Sequence, residues 1–161
     1  MMMKRKEKVL IITGFNSSLH PIYQSITKRE QEEMIILSSY NAELSQTYSC
    51  LIRSIIMAVL SEHIEEIYFI GEKGRNDFIL NEEELLTRMR EKGVNTDILS
   101  TLNYLQVGGG DVIKWLAGEN NMETIIKKNM NLVQMHPLIP KSIAVHGVVV
   151  DTKTNHIEMV S

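Results

Sequence analysis

Short apolar runs that stop at polar clusters alternate along this chain with stretches in which apolar residues recur every three or four positions. That alternation predicts strands joined by helices. Lys8 to Phe15 reads as a strand buried on both faces of a parallel sheet, ending at Asn16-Ser17-Ser18. The pattern returns at Met34 to Leu37, before Ser38-Ser39-Tyr40-Asn41, and at Ile67 to Ile70, before Gly71-Glu72-Lys73-Gly74. Between the second and third runs, Leu51, Ile52, Ile55, Ile56, Val59 and Leu60 fall on one face of a helix, which makes a β-α-β crossover.

Further along, Asn81 and Glu84 stand at the spacing of a helix cap and its partner, and Gly93 lies where a left-handed terminator belongs, so a helix is expected over 82–92. Helical pieces follow at 96–105, at 111–116 around Trp115, and at 122–135, where Pro137 forces a stop, with Gly108-Gly109-Gly110 as punctuation. Residues 144–150 and 156–160 flank Asp151-Thr152-Lys153-Thr154-Asn155 and read as a hairpin closing one sheet edge. The expected class is α/β: a mainly parallel sheet flanked by helices with a C-terminal antiparallel hairpin, in a single domain over 1–161.

Composition narrows the function. The chain has 161 residues, 43% apolar and 23% charged, with a net charge of −3, which offers no summed positive field for a nucleic-acid backbone. The one cysteine, Cys50, allows neither an internal disulfide nor a thiolate-rich metal site, and it reads as a small buried residue in the middle of the crossover helix. The apolar stretch 51–60 is interrupted by Arg53 and Ser54, so no membrane span is expected. Residues 1–15 imitate a secretory leader, basic and then apolar, yet Asn16-Ser17-Ser18-Leu19 is no small-x-small cleavage site. A buried strand and a cytoplasmic protein are the expectation.

Ligands of open α/β sheets sit at the carboxyl ends of the strands, so Gly14 to Ser18, Tyr40-Asn41 and Glu72 to Arg75 are expected to share one crevice. Each has a sharp and a plain reading. Asn16-Ser17-Ser18 could cradle an anion, but a locally capped polar turn is the simpler reading. Glu72 and Arg75 could be an acid and an electrophile, but a neutralising ion pair is simpler. His136 and His146 read as structural histidines. No glycine-rich fingerprint for a nucleotide follows the first strand.

Several segments together resemble the β-class carbonic anhydrases, in their compact prokaryotic branch. Val9 to Thr13, Asn41-Ala42, Arg53-Ser54-Ile55, Glu66 to Gly71, Trp115-Leu116, His136 to Pro140, Val145-His146-Gly147 and Asp151 to Thr154 fall in that family's order and spacing. The resemblance implies zinc held by a Cys-x-Asp-x-Arg motif after the first strand and a His-x-x-Cys motif after the third, with a metal-bound hydroxide that attacks carbon dioxide. Here Gly14 stands at the first ligand Cys, Asn16 at the Asp and Ser18 at the Arg. Glu72 stands at the ligand His and Arg75 at the ligand Cys. The Arg that precedes Asn-Ala in the family is Tyr40, and the Gly that follows is Glu43. The family's helical arm, which packs over a neighbouring subunit, has no counterpart before a strand that starts near residue 8.

The resulting expectation is a carbonic-anhydrase-like protein without zinc or enzyme activity. It would be a homodimer acting as a binding or partner subunit for a small anion or a protein, in inorganic-carbon handling by analogy. The alternative is an enzyme with residual carbonic anhydrase activity or different chemistry in the same crevice. One structural expectation accompanies it, a Glu72–Arg75 ion pair filling the metal's place, and one open question, whether the Gly14 backbone takes a conformation that cysteine cannot adopt.

Overall fold

A computed structural model describes residues 6–74 and 80–161. The chain forms two compact units, Met1–Gly74 with Asn121–Ser161, and Arg75–Asn120. The first holds a five-stranded sheet of order β2-β1-β3-β4-β5, built from β1 (Lys8–Thr13), β2 (Met34–Ser38), β3 (Ile64–Lys73), β4 (Ala144–Asp151) and β5 (His156–Val160). The first four strands pair in parallel and only β4–β5 is antiparallel, as the apolar runs and the terminal hairpin signal predict. Strands β1 and β3 lie in the interior of the sheet, and Val9 to Ile12, Ile67, Phe69 and Ile70 are fully buried.

Two apolar layers sandwich the sheet. On one face Leu10, Ile12, Ile67, Phe69 and Val149 pack against Ile52, Ile55 and Ile56 of α2 (Cys50–Ser61) and against Ile126 and Val133 of a later helix, Met122–Met135. On the other, Val9, Ile11, Ile70, Val148 and Val150 pack with Leu19, Ile22, Tyr23 and Ile26 on and just before α1 (His20–Thr27). The hydrophobic pattern of 19–26 is also three-and-four, but only four apolar residues carry it, and this helix was not expected. Pro21 sits in its first turn, and Lys28 at φ 58° ends it by donating its N–H to Gln24 O at 2.9 Å.

Cys50 departs from expectation. The Ser49 side chain accepts from Ile52 N–H and caps α2, which makes Cys50 the first helical residue, and it is exposed rather than buried in mid-helix.

The second unit is helical: α3 (Glu82–Glu91), α4 (Ile98–Tyr104) and α5 (Val112–Ala117). Asn81 and Asp111 cap α3 and α5 through their side chains, Gly93 takes φ 84°, and Gly108, Gly109 and Gly110 all have positive φ. The Met122–Met135 helix, α6, then returns to the first unit and ends where the sequence places its stop, with His136 extended before Pro137.

Candidate functional site

The chain leaves β1 to build β2 by way of α1 on one face, and leaves β2 to build β3 by way of α2 on the other. Strand order therefore reverses between β1 and β3, and their carboxyl ends flank the crevice that such a reversal opens. Thr13 pairs with Ile70, so Glu72 projects two residues beyond the end of β1. Asn16 reaches it from the β1 side: its amide Nδ2 donates to both Glu72 oxygens, each at 3.0 Å. One side chain thus bridges the strand reversal.

The same Asn16 accepts at Oδ1 from Ser18 N–H (3.1 Å) and from Ser18 Oγ–H (2.6 Å), capping a 3-10 turn over Ser17–Leu19. Asn16-Ser17-Ser18 is therefore the locally capped polar turn of the plain reading, with its amide turned to Glu72. Arg75 lies outside the described residues, and with it the expected ion pair.

The third wall is the turn Tyr40–Ala42 after β2. Asn41 and Ala42 both adopt left-handed backbone, φ 54° and 59°, a strained pair that the surroundings must hold. Asn129 of α6, buried at 1% exposure, does so: Nδ2 donates to Ala42 O at 2.7 Å and Oδ1 accepts from Leu44 N–H at 3.0 Å. Tyr40 meets Phe15 across the crevice mouth, ring centroids 6.1 Å apart. Gly14 faces the same turn, but its φ is not left-handed, and an added Cβ would meet nothing closer than Ala42 N at 3.8 Å. Gly14 therefore does not hold a backbone conformation that cysteine cannot adopt: the position has ordinary backbone and ordinary room.

Beneath the crevice, on the α1 face, Tyr23 donates its buried hydroxyl to Thr13 Oγ1 at 2.9 Å. Burial pushes the phenol above its usual range. The Thr13 hydrogen bond works against that shift and the Glu72 charge adds to it. Tyr23, Thr13 and Asn129 escaped the sequence reading. The only signal was Asn129 itself, a polar residue in the apolar stripe Ile125, Ile126, Asn129, Val133.

The two singled-out histidines lie elsewhere. His136 is buried at the end of α6, its Nε2 toward Thr47 O at 3.1 Å while Nδ1 accepts from Leu138 N–H at 3.2 Å. His146, on β4, stacks on Tyr68 with centroids 4.6 Å apart and meets Glu66 at 3.3 Å. Burial raises the Tyr68 phenol, reinforced by the Glu66 charge and opposed by Arg29. Among the described residues, no three His, Cys, Asp or Glu side chains gather closely enough to hold a metal ion, and no helix is long and apolar enough to cross a membrane.

A parallel sheet with its order reversed between β1 and β3, and an antiparallel closing hairpin, is the β-carbonic anhydrase fold. The isoform I β-carbonic anhydrase of Trichomonas vaginalis superposes with a TM-score of 0.77 at 18% identity, over 99% of this chain and 87% of that one. A carbon disulfide hydrolase structure superposes with a TM-score of 0.71 at 18% identity, over 94% and 77%. In sequence, the carbonic anhydrase-like protein YbcF of Bacillus subtilis is 33% identical over 159 residues, 95% of this chain and 86% of the relative. No family model matches. The chain belongs to the β-carbonic anhydrase family.

Proposed function

We propose that this family member has no catalytic zinc centre and serves in the cytoplasm as a non-catalytic binding or partner subunit, in homodimeric form. The observation that carries the reading is the Asn16–Glu72 bridge. Where the resemblance calls for a metal ligand at residue 72, both carboxylate oxygens accept from the amide of residue 16, which itself stands at a motif position.

The donor set does not fit zinc. A tetrahedral protein site of this kind needs thiolate or imidazole donors. Gly14 has no donor atom, Glu72 brings one carboxylate, and Arg75 brings a fixed positive charge that repels a dication. Asn16 and Ser18 also cannot reproduce an ionised Asp–Arg pair beside a metal-bound water. A single cysteine in the chain suits a reducing compartment.

The test is metal content and carbon dioxide hydration of protein purified without chelator or affinity tag. Substoichiometric zinc and background hydration are expected. One zinc per chain, with hydration abolished by a chelator, overturns the reading in favour of an enzyme. As a converse, Gly14→Cys, Asn16→Asp, Ser18→Arg, Glu72→His and Arg75→Cys made together should restore tetrahedral zinc binding.

A further inference from the structure

Among the described residues, the crevice turns its hydrogen-bond donors inward. The backbone N–H groups from Ser18 to His20 are spent inside their own turn: Ser18 N–H goes to Asn16 Oδ1 at 3.1 Å, Leu19 N–H to Asn16 O at 3.3 Å and His20 N–H to Ser17 O. Pro21 has no N–H, so the start of α1 presents no row of donors to an anion. The side chains follow the same rule. Ser18 Oγ donates to Asn16 Oδ1 at 2.6 Å, the Asn16 amide donates to Glu72, and the Tyr23 hydroxyl donates to Thr13 at 2.9 Å. On the third wall Ala42 N–H goes to Ser39 O and Glu43 N–H to Tyr40 O, both at 3.1 Å.

What the crevice presents instead is an acceptor with a charge. Lys73, beside Glu72 in sequence, pairs with Glu158 at 3.6 Å, and the neutral amide of Asn16 orients the Glu72 carboxylate without cancelling its charge. At the mouth Phe15, which precedes Asn16 in the chain and is 70% exposed, meets Tyr40 with ring centroids 6.1 Å apart. A carboxylate bordered by aromatic rings attracts a cation that can also bury carbon. We propose that the crevice binds an organic ammonium ion, its N–H groups donating to Glu72 and its carbon chain lying against Phe15 and Tyr40. This rests on the binding-subunit reading above and names the class of ligand. A metal dication is not equivalent: it needs several ligand atoms, whereas an ammonium brings its own donors and asks for a single anionic acceptor. Arg75, further along the same segment, carries a fixed positive charge that opposes such a ligand, so it limits the affinity.

Titration of the full chain with butylammonium chloride, followed by proton–nitrogen correlation NMR, tests this. The Asn16 side-chain amide and the Ser18 N–H are expected to shift saturably, while sodium bicarbonate at matched ionic strength and uncharged butanol leave them in place. Glu72→Gln keeps an acceptor for Asn16 but removes the charge, and it should weaken butylammonium binding about tenfold. Phe15→Ala should weaken it roughly threefold, and because that ring is exposed the variant keeps the test open if Glu72→Gln does not fold. Arg75→Gln should tighten it. Saturable shifts with bicarbonate and none with butylammonium overturn the ligand class but leave a binding crevice. Shifts with neither, or equal affinity in the parent, Glu72→Gln and Phe15→Ala, overturn the site. Zinc content and hydration are read separately and decide the non-catalytic reading on their own.

Discussion

The tail from His136 to Thr154 and the crevice at the ends of β1 and β3 both carry residues that the resemblance to the β-carbonic anhydrases singles out, and the structure holds the two sets in different ways. The reason lies in what each side chain touches. His136 is buried with both ring nitrogens engaged by backbone. A Cβ on Gly147 would collide with Met130 and Ile126 of α6, so nothing larger than glycine fits without repacking. Asp151 Oδ1 accepts from Lys153 N–H at 2.9 Å and from Thr154 N–H at 3.4 Å, folding the turn that returns β5 to the sheet. His136 and Gly147 are therefore fixed by packing, and Asp151 by the backbone N–H groups of the turn it closes.

The crevice residues are held differently. Gly14 has ordinary room, Ser18 is exposed, and Asn16 and Glu72 satisfy each other at a half-buried edge. Gly14, Asn16, Ser18 and Glu72 are not packing positions, so substitutions at them are expected to leave the sheet intact. Kinship and mechanism can separate because different physical costs maintain them.

The largest effect that would sharpen this contrast is expected in the tail. His136→Ala empties a buried site and strands Thr47 O and Leu138 N–H, and it should lower the unfolding free energy by about 3 kcal/mol in urea titrations. A cost under about 1 kcal/mol would break the claim that the tail is fixed by packing.

Next comes the floor of the crevice. Tyr23→Phe removes the hydrogen bond to Thr13 and should cost about 1 kcal/mol near neutral pH. It also has a pH signature. The folded state raises the Tyr23 phenol above its unfolded value of about 10, so its contribution is complete below that pH and is lost as pH rises through the raised value. Stability should therefore fall on the alkaline side in the parent and fall less steeply in Tyr23→Phe, measured by denaturation at several pH values from neutrality upward.

A smaller effect belongs to the bridge. Asn16→Ala, Glu72→Gln and the double substitution should give a coupling of about 0.5–1 kcal/mol in a double-mutant cycle, reduced by the solvent that reaches this edge. Additive changes would mean that the contact joins the two strand ends in geometry only.

The smallest effect is expected at Gly14→Cys alone, within about 0.5 kcal/mol of the parent, since the new side chain meets only van der Waals contacts. A large loss would place Gly14 with Gly147, among the positions fixed by packing.

Local sequence determined the elements that advertise themselves locally. Apolar runs bounded by polar clusters marked the strands, three-and-four spacing marked α2 and α6, and Asn81, Gly93 and Pro137 marked helix ends. These signals act over a few residues and survive without knowledge of the fold. The eight-residue α1 was missed because its apolar stripe is too short to stand out, and Cys50 was misplaced because the Ser49 cap that starts α2 is a single polar residue, and position 50 falls on the same exposed face as Arg53, Ser54 and Met57.

Only the tertiary structure decided which residues meet. Asn16 and Glu72 are 56 positions apart, and Asn129 and Ala42 are 87 apart, so no local pattern links them. What brings them together is the parallel register of β1 and β3 and the packing of α6 on the sheet. That Asn16, Ser18 and Glu72 stand after the first and third strands was legible in the chain, but what they do with their hydrogen bonds was not, because a side chain's partner is set by where the strands end in space.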